Sequence, residues 1–274
     1  MKYIAALFLL FISAFPAHGA ESLTFSIGTD KRVMTAPQLL ADPKTRDISI
    51  ADPSYKKTMH YRALPLSALL AGMKLPPDSV IEAVANDGFV AQLPTDLLLN
   101  DKTGAAQAFL AIEPPDTPWP ALPGKKASAG PFYIVWLNAS ASGIRSEQWP
   151  FMIAALRSAD SPAKRWKELA VDPALPAAAL IRAGQALFVT QCMACHKLNG
   201  AGSSAAGPDL NLPASPTEYF KPDALKKYIR NPASLRHWDG MQMPGFDKDA
   251  LSDHEIDLII SYMEHMSTTR KTAK

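Results

Sequence analysis

Cysteine is nearly absent from this chain: its 274 residues contain two, Cys192 and Cys195. Two thiols cannot build a structural zinc site, which takes four protein ligands, and no second pair exists to complete one. A thioredoxin-like redox pair is excluded as well, because such a pair heads a βαβ unit and none surrounds these residues. Charge of one sign is not in excess. Lys and Arg number 28 against 26 Asp and Glu, without the basic stripe that a nucleic-acid surface needs. After the first 20 residues no apolar run approaches the ~20 that a membrane-spanning helix requires, so the mature chain is expected to have no membrane span. Internal repeats and low-complexity tracts are absent too.

Proline, by contrast, is abundant at 24, well above the usual ~5%, which points to long irregular loops. The length suggests about two domains. The first residues read as a secretory signal peptide, residues 1–20. Met1-Lys2 gives the positive start, residues 4–12 are an apolar stretch too short to span, and Ala17 and Gly19 are the small residues before the cut. No cysteine lies near that cut, which excludes a lipid anchor. The mature protein is therefore expected in the periplasm.

Cys192 and Cys195 are followed at once by His196. Cys-x-x-Cys-His is the signature of covalent haem attachment: both thiols form thioethers to the haem vinyl groups, and the histidine ligates the iron. A plain disulfide would leave His196 unexplained. One covalently bound haem c is expected. Residues 177–189 read as a helix before the motif, with Gly184 allowing another helix to approach closely. Gly207-Pro208-Asp209-Leu210 reads as a turn. Residues 225–230 read as a helix that stops before Asn231-Pro232, because the residue before proline avoids helical geometry. Ser252-Asp253-His254-Glu255 is a capping box for a last helix carrying Ile256, Ile259, Ile260 and Met263 on one face.

With these pieces in place, residues 177–268 resemble a class I cytochrome c domain. The resemblance rests on Gly184-Gln185-Ala186-Leu187-Phe188, the haem motif, Gly207-Pro208-Asp209-Leu210, Met243-Pro244 and the closing helix around Tyr262. It implies a small all-α fold around one haem, and a hydrogen bond from the His196 ring to the Pro208 carbonyl that fixes the imidazole. Met241 and Met243 both precede Pro244, and geometry alone does not separate them as the second iron ligand. The resemblance selects Met243; Met241, His237 and an open position are the alternatives. A Met/His pair raises the reduction potential, suits electron transfer and leaves no open coordination position.

Residues 21–157 have a different character. Leu23, Phe25 and Ile27 alternate as in a strand, as do Ile48 and Ile50. Thr35-Ala36-Pro37 opens a short helix, and Pro65 precedes another. Residues 80–93 read as a hairpin turning at Asn86-Asp87-Gly88, and Thr95 is expected to cap a helix over 96–99. Residues 108–112 and 131–137 are further strands. The fold expected is α+β with mostly antiparallel strands. This region resembles the molybdopterin-binding fold of the sulfite-oxidase family, through Tyr61-Arg62-Ala63-Leu64-Pro65-Leu66, Asp87-Gly88-Phe89 and Gly130-Pro131-Phe132. Members that bind molybdenum supply a cysteine thiolate, and this region has no cysteine. The resemblance therefore implies a domain that has lost its cofactor and serves binding or docking.

Residues 158–176, rich in Ala and Pro, read as a semi-rigid linker. His60 and the Lys125-Lys126 pair are candidates for ligand contacts, with solvated side chains as the simpler reading. Lys197, Lys226, Lys227 and Lys248 are candidates for a ring around the haem edge that steers an acidic partner. Together these features describe a periplasmic monohaem cytochrome that passes one electron at a time. Its N-terminal domain would dock a redox partner protein, such as a periplasmic dehydrogenase or a terminal oxidase. The alternative is an oxidoreductase whose N-terminal domain binds substrate or a molybdopterin-type cofactor and feeds electrons to the haem.

Overall fold

The computed structural model describes residues 21–76, 78–176 and 178–270, so the expected signal peptide lies outside the described residues. Leu23, Phe25 and Ile27 form the inward face of β1 (Ser22–Ile27), and the chain turns directly into β2 (Asp30–Thr35). Thr35 then caps α1 (Ala36–Leu40). Its side chain accepts from the Gln38 amide while Gln38 reaches back to the Thr35 amide at 2.8 Å, satisfying two donors that the helix leaves open. β3 (Arg46–Asp52) and β4 (Lys57–Pro65) pair antiparallel, and β4 leads into α2 (Leu66–Leu69).

The expected hairpin forms as β5 (Ser79–Ala85) and β6 (Val90–Pro94). Thr95 does not cap the helix that follows; it is the first residue of α3 (Thr95–Leu98). Its hydroxyl is buried and needs a partner, so it turns inward and donates to the Ser79 carbonyl at 3.1 Å. β7 (Gln107–Ile112) and β8 (Phe132–Leu137) are almost continuously apolar and are buried on both faces. The last strand, β9 (Ile153–Asp160), enters the middle of the first sheet. The two sheets have strand orders β2-β1-β9-β5-β6 and β3-β4-β7-β8. Every neighbouring pair is antiparallel except β1 with β9.

The stretch after position 157 carries more structure than its Ala- and Pro-rich composition suggests. Ser158, Ala159 and Asp160 still pair with β5. α4 (Pro162–Arg165) follows, and then Leu169 and Val171 are buried in the core of the second domain. Composition reads such a segment as irregular, whereas its few apolar side chains are placed by what they meet.

The second domain is all-α. It consists of α5 (Leu180–Gln191), α6 (Pro216–Tyr219), α7 (Pro222–Arg230) and α8 (Asp253–Thr268). The chain thus has an N-terminal α+β domain with mostly antiparallel strands and a C-terminal all-α domain. Phe188 and Tyr262 pack across the α5–α8 contact with ring centroids 5.4 Å apart, and the Tyr262 hydroxyl donates to the Leu169 carbonyl at 2.7 Å. Beyond α8, Arg270 bonds the Pro213 carbonyl at 3.1 Å and pairs with Glu218. No helix among the described residues is long and apolar enough to cross a membrane.

Gly184 is where the two long helices meet. A Cβ there would lie 2.1 Å from the Leu258 carbonyl oxygen of α8. Alanine would gain up to about 1 kcal/mol of helix propensity. It would also force two backbones apart, and overpacking of that kind costs about 1–3 kcal/mol or more. The clash is with backbone that cannot rotate away, so the loss wins. Gly184→Ala is expected to lower the urea midpoint of the haem-loaded protein; an unchanged or raised midpoint would show that the helices can separate freely.

Candidate haem site

α5 ends at Cys192, whose amide donates to the Phe188 carbonyl at 2.9 Å. The chain then makes one tight turn, with the Cys195 and His196 amides both donating to the Cys192 carbonyl, at 3.1 and 2.8 Å. Met193 and Ala194 are buried and anchor the turn, while Cys192 and Cys195 are half-buried with free thiols. Burial first, and the nearby Glu147 carboxylate second, push both thiols up to about 12. Neither is therefore poised as a thiolate.

His196 follows on the same turn. Its Nδ1 lies 2.8 Å from the Pro208 carbonyl oxygen. A carbonyl only accepts, so Nδ1 carries the proton and the Nε2 lone pair is free for a metal. Burial lowers the pKa of the ring, opposed by the Pro208 bond and the Asp209 charge, and this favours the neutral form that ligation requires. Gly207 makes the arrangement possible. A Cβ there would come within 2.6 Å of His196 Cε1, and the Gly207 amide donates to the Cys195 carbonyl at 2.7 Å.

Asp209, read from sequence only as part of a turn, ties the two sides of this loop together. One carboxylate oxygen accepts from the amides of Asn199, Asn211 and Leu212 at 3.1, 2.8 and 3.0 Å, and the other from Gly200 at 2.6 Å.

Cys192, Cys195, His196 and Pro208 are thus gathered on one folded loop. Met243 lies elsewhere, on the strap between Ser234 and α8, half-buried like Met241, while His237 is exposed. The strap is pinned just past Met243. The Phe246 amide donates to the Arg230 carbonyl at 3.1 Å, and the Arg230 guanidinium bonds the carbonyls of Phe246 and Leu251 at 2.5 and 2.6 Å. Among the other candidates, His60 is an exposed residue of β4. Lys226 and Lys248 are engaged with Asp257 and Asp253 of α8, at 2.7 and 3.2 Å. The Lys125 ammonium rests over the Phe151 ring, 4.6 Å from its centroid.

The cytochrome c family model matches residues 181–267. The C-terminal unit is a cytochrome c domain. No curated protein matches the chain. A cytochrome c domain transfers electrons with a covalently bound haem c, and the donors present suit that group. They are two neutral thiols and one neutral imidazole with its outer nitrogen free, behind a glycine that keeps the ring face clear.

The cytochrome c domain leans on the N-terminal domain through its haem loop. The Ala194 carbonyl, between the two cysteines, accepts from the Val90 amide of β6 at 2.8 Å. That bond covers an edge strand that would otherwise be open. Ser204 Oγ donates to the Gly88 carbonyl at 2.7 Å. Deeper in the same seam, Glu82 of β5 is 1% exposed. It accepts from Arg157 at 2.5 Å, Arg165 at 2.6 Å, Gln92 at 2.8 Å and Ser203 Oγ at 2.5 Å. Burial alone would raise its carboxyl; the four hydrogen bonds outweigh burial and hold it down at about 2. Sequence reasoning missed Glu82, Val90 and Ser203, since no local pattern links residues 75 to 121 positions apart.

Proposed function

We propose that the protein is a periplasmic monohaem cytochrome that passes one electron at a time. In this reading Cys192 and Cys195 hold the haem through thioethers, and His196 and Met243 ligate its iron. The observation that carries it is the loop on which two thiols and an imidazole, its Nδ1 bound to the Pro208 carbonyl at 2.8 Å, are presented together. A single Cys-x-x-Cys-His in the whole chain supports one haem, and the signal-like residues 1–20 support export. The fixed imidazole limits the reorganisation that accompanies electron transfer. A methionine on the opposite side raises the reduction potential and leaves no position for an exogenous ligand.

We read residues 21–160 as a docking domain, similar in fold to the sulfite-oxidase family. Both cysteines of the chain lie in the haem motif, so this domain has no thiolate to offer molybdenum. Its partner would be a redox protein such as a periplasmic dehydrogenase or a terminal oxidase. Metal and pterin analysis of the purified protein should return one iron per chain without molybdenum or pterin. Stoichiometric molybdenum would instead establish the oxidoreductase reading.

The ligand assignment is tested by Met243→Ala. The wild type should show a low-spin, six-coordinate haem with the weak near-infrared band of methionine bound to ferric iron. The variant should lose that band and bind cyanide or carbon monoxide readily. Loss of the band in Met241→Ala but not in Met243→Ala would transfer the role to Met241.

A further inference from the structure

We propose that the β5–β6 hairpin of the N-terminal domain is part of the haem mount: it holds the two arms of the haem loop at a fixed separation and so keeps the His196 ring on its Pro208 partner. Val90 and Ser204 are the positioning residues. The inference deepens the proposed function and rests on its reading of His196 as an iron ligand.

The first arm of the loop carries Cys192, Cys195 and His196. The second returns through residues 203–208 and ends at the Pro208 carbonyl, 2.8 Å from His196 Nδ1. Between the arms the Gly207 amide donates to the Cys195 carbonyl at 2.7 Å. Where the second arm lies therefore decides how well the imidazole is held.

The hairpin grips both arms. On the first, the Val90 amide donates to the Ala194 carbonyl at 2.8 Å, at the peptide between the two cysteines. β6 is an edge strand, and Val90 turns its amide outward to the loop rather than to β5. On the second arm, Ser204 is fully buried. Its Oγ donates to the Gly88 carbonyl at 2.7 Å and accepts from the Ala206 amide at 3.2 Å. The residue before it, Ser203, is held by Glu82 at 2.5 Å and by Arg165 at 2.7 Å.

The Asn86-Asp87-Gly88 turn is shaped for this contact. Gly88 has a φ of +89°, and Asp87 Oδ1 accepts from the Phe89 amide at 3.1 Å. A Cβ added to Gly88 would lie 3.7 Å from the Ala206 nitrogen, so the backbone of the turn rests against the second arm one residue before Gly207. β5 lies between β6 and β9 in its sheet, which makes the hairpin the stiff member and the loop the one that is held.

A hydrogen bond from the outer ring nitrogen fixes an imidazole ligand and raises its basicity. A more basic ligand favours ferric iron, which carries the extra positive charge. The grip therefore lowers the reduction potential. With either grip released, the two arms drift apart, the Nδ1–H bond to Pro208 weakens and the potential rises. The effect is indirect, so it should stay below the roughly tenfold change that loss of a ligand's own hydrogen-bond partner carries.

The experiment measures two quantities in full-length, haem-loaded protein whose haem survives acid-acetone extraction: the midpoint potential at pH 7, and the exchange rate of the His196 Nδ1 proton by NMR. Ser204→Ala removes the second grip. Val90→Pro removes the first, because proline has no amide hydrogen and an edge strand tolerates it. Both should raise the midpoint and speed the exchange. Leu93→Ala is the control. It loosens the N-terminal core from the same strand, where Leu93 is fully buried, and leaves both grips in place. Its midpoint and exchange should match the wild type. An unmoved or lowered midpoint in Ser204→Ala overturns the proposal. So does wild-type exchange in that variant, or a shift in Leu93→Ala as large as in Ser204→Ala. A haem-loaded Val90→Pro indistinguishable from wild type overturns it too; should that variant fail to load haem, Ser204→Ala decides alone. Haem that leaves the wild-type chain on extraction, or a wild-type spectrum in His196→Ala, defeats the underlying reading instead, so the two failures are distinct.

Discussion

Replacing both Cys192 and Cys195 by Ala should abolish covalent haem entirely. The wild-type polypeptide should retain its haem after acid-acetone extraction, and the double variant should retain none. The effect is all or nothing because the chain has no third thiol to rescue the attachment. Each single variant should keep one thioether and bind haem through the other sulfur. His196 remains in all of them, with Nδ1 still bonded to Pro208. Residual haem in the double variant should therefore be exchangeable. Haem that leaves the wild type under extraction would defeat the assignment outright.

The second large effect is expected at Glu82. Replacing it with Gln keeps the shape but leaves Arg157 and Arg165 without their shared carboxylate. Removing one partner of a buried ion pair costs about 3–5 kcal/mol. The lower end applies here, because Arg157 is 45% exposed and reaches water while Arg165 is 24% exposed. Urea unfolding of the haem-loaded protein at pH 7 should show the loss.

The pH dependence has a definite sign. The folded carboxyl sits near 2, below its ordinary value of 4.5. Its stabilisation is complete above about pH 4.5 and fades as pH falls toward 2. The gap between wild type and Glu82→Gln should therefore narrow across that acid window. A gap that stays constant from pH 7 down to pH 3 would show that the carboxylate charge contributes nothing. Because Ser203 belongs to the haem loop and shares this carboxylate, the same variant should speed proteolysis between the domains.

Much of the candidate haem site was legible in the chain itself. Cys192, Cys195 and His196 are neighbours in sequence, so their chemistry and their shared turn follow from spacing alone. Ser252 with Glu255 and Thr35 with Gln38 form caps that reach only three residues, and such contacts can be read locally. Thr95 is not the cap its position suggests, because a threonine before a helix caps it only when the hydroxyl is free to turn back. Here the burial of Ser79 and Thr95 together turned it inward. β9 carries no strand signal in the sequence because Ile153 and Leu156 are its only fully buried residues, and the small residues Ala154, Ala155, Ser158 and Ala159 add no periodicity.

The sequence by itself determined that a covalently bound haem c is to be expected, and where its Cys-x-x-Cys-His motif and the helices beside it lie, since these rest on residues a few positions apart. Only the tertiary structure decided that β6 covers the haem loop at Val90, and that Glu82 clamps Ser203 across the seam. Those partners lie 104 and 121 positions apart. They meet because two independently patterned cores pack against each other, and packing between domains leaves no period in either sequence.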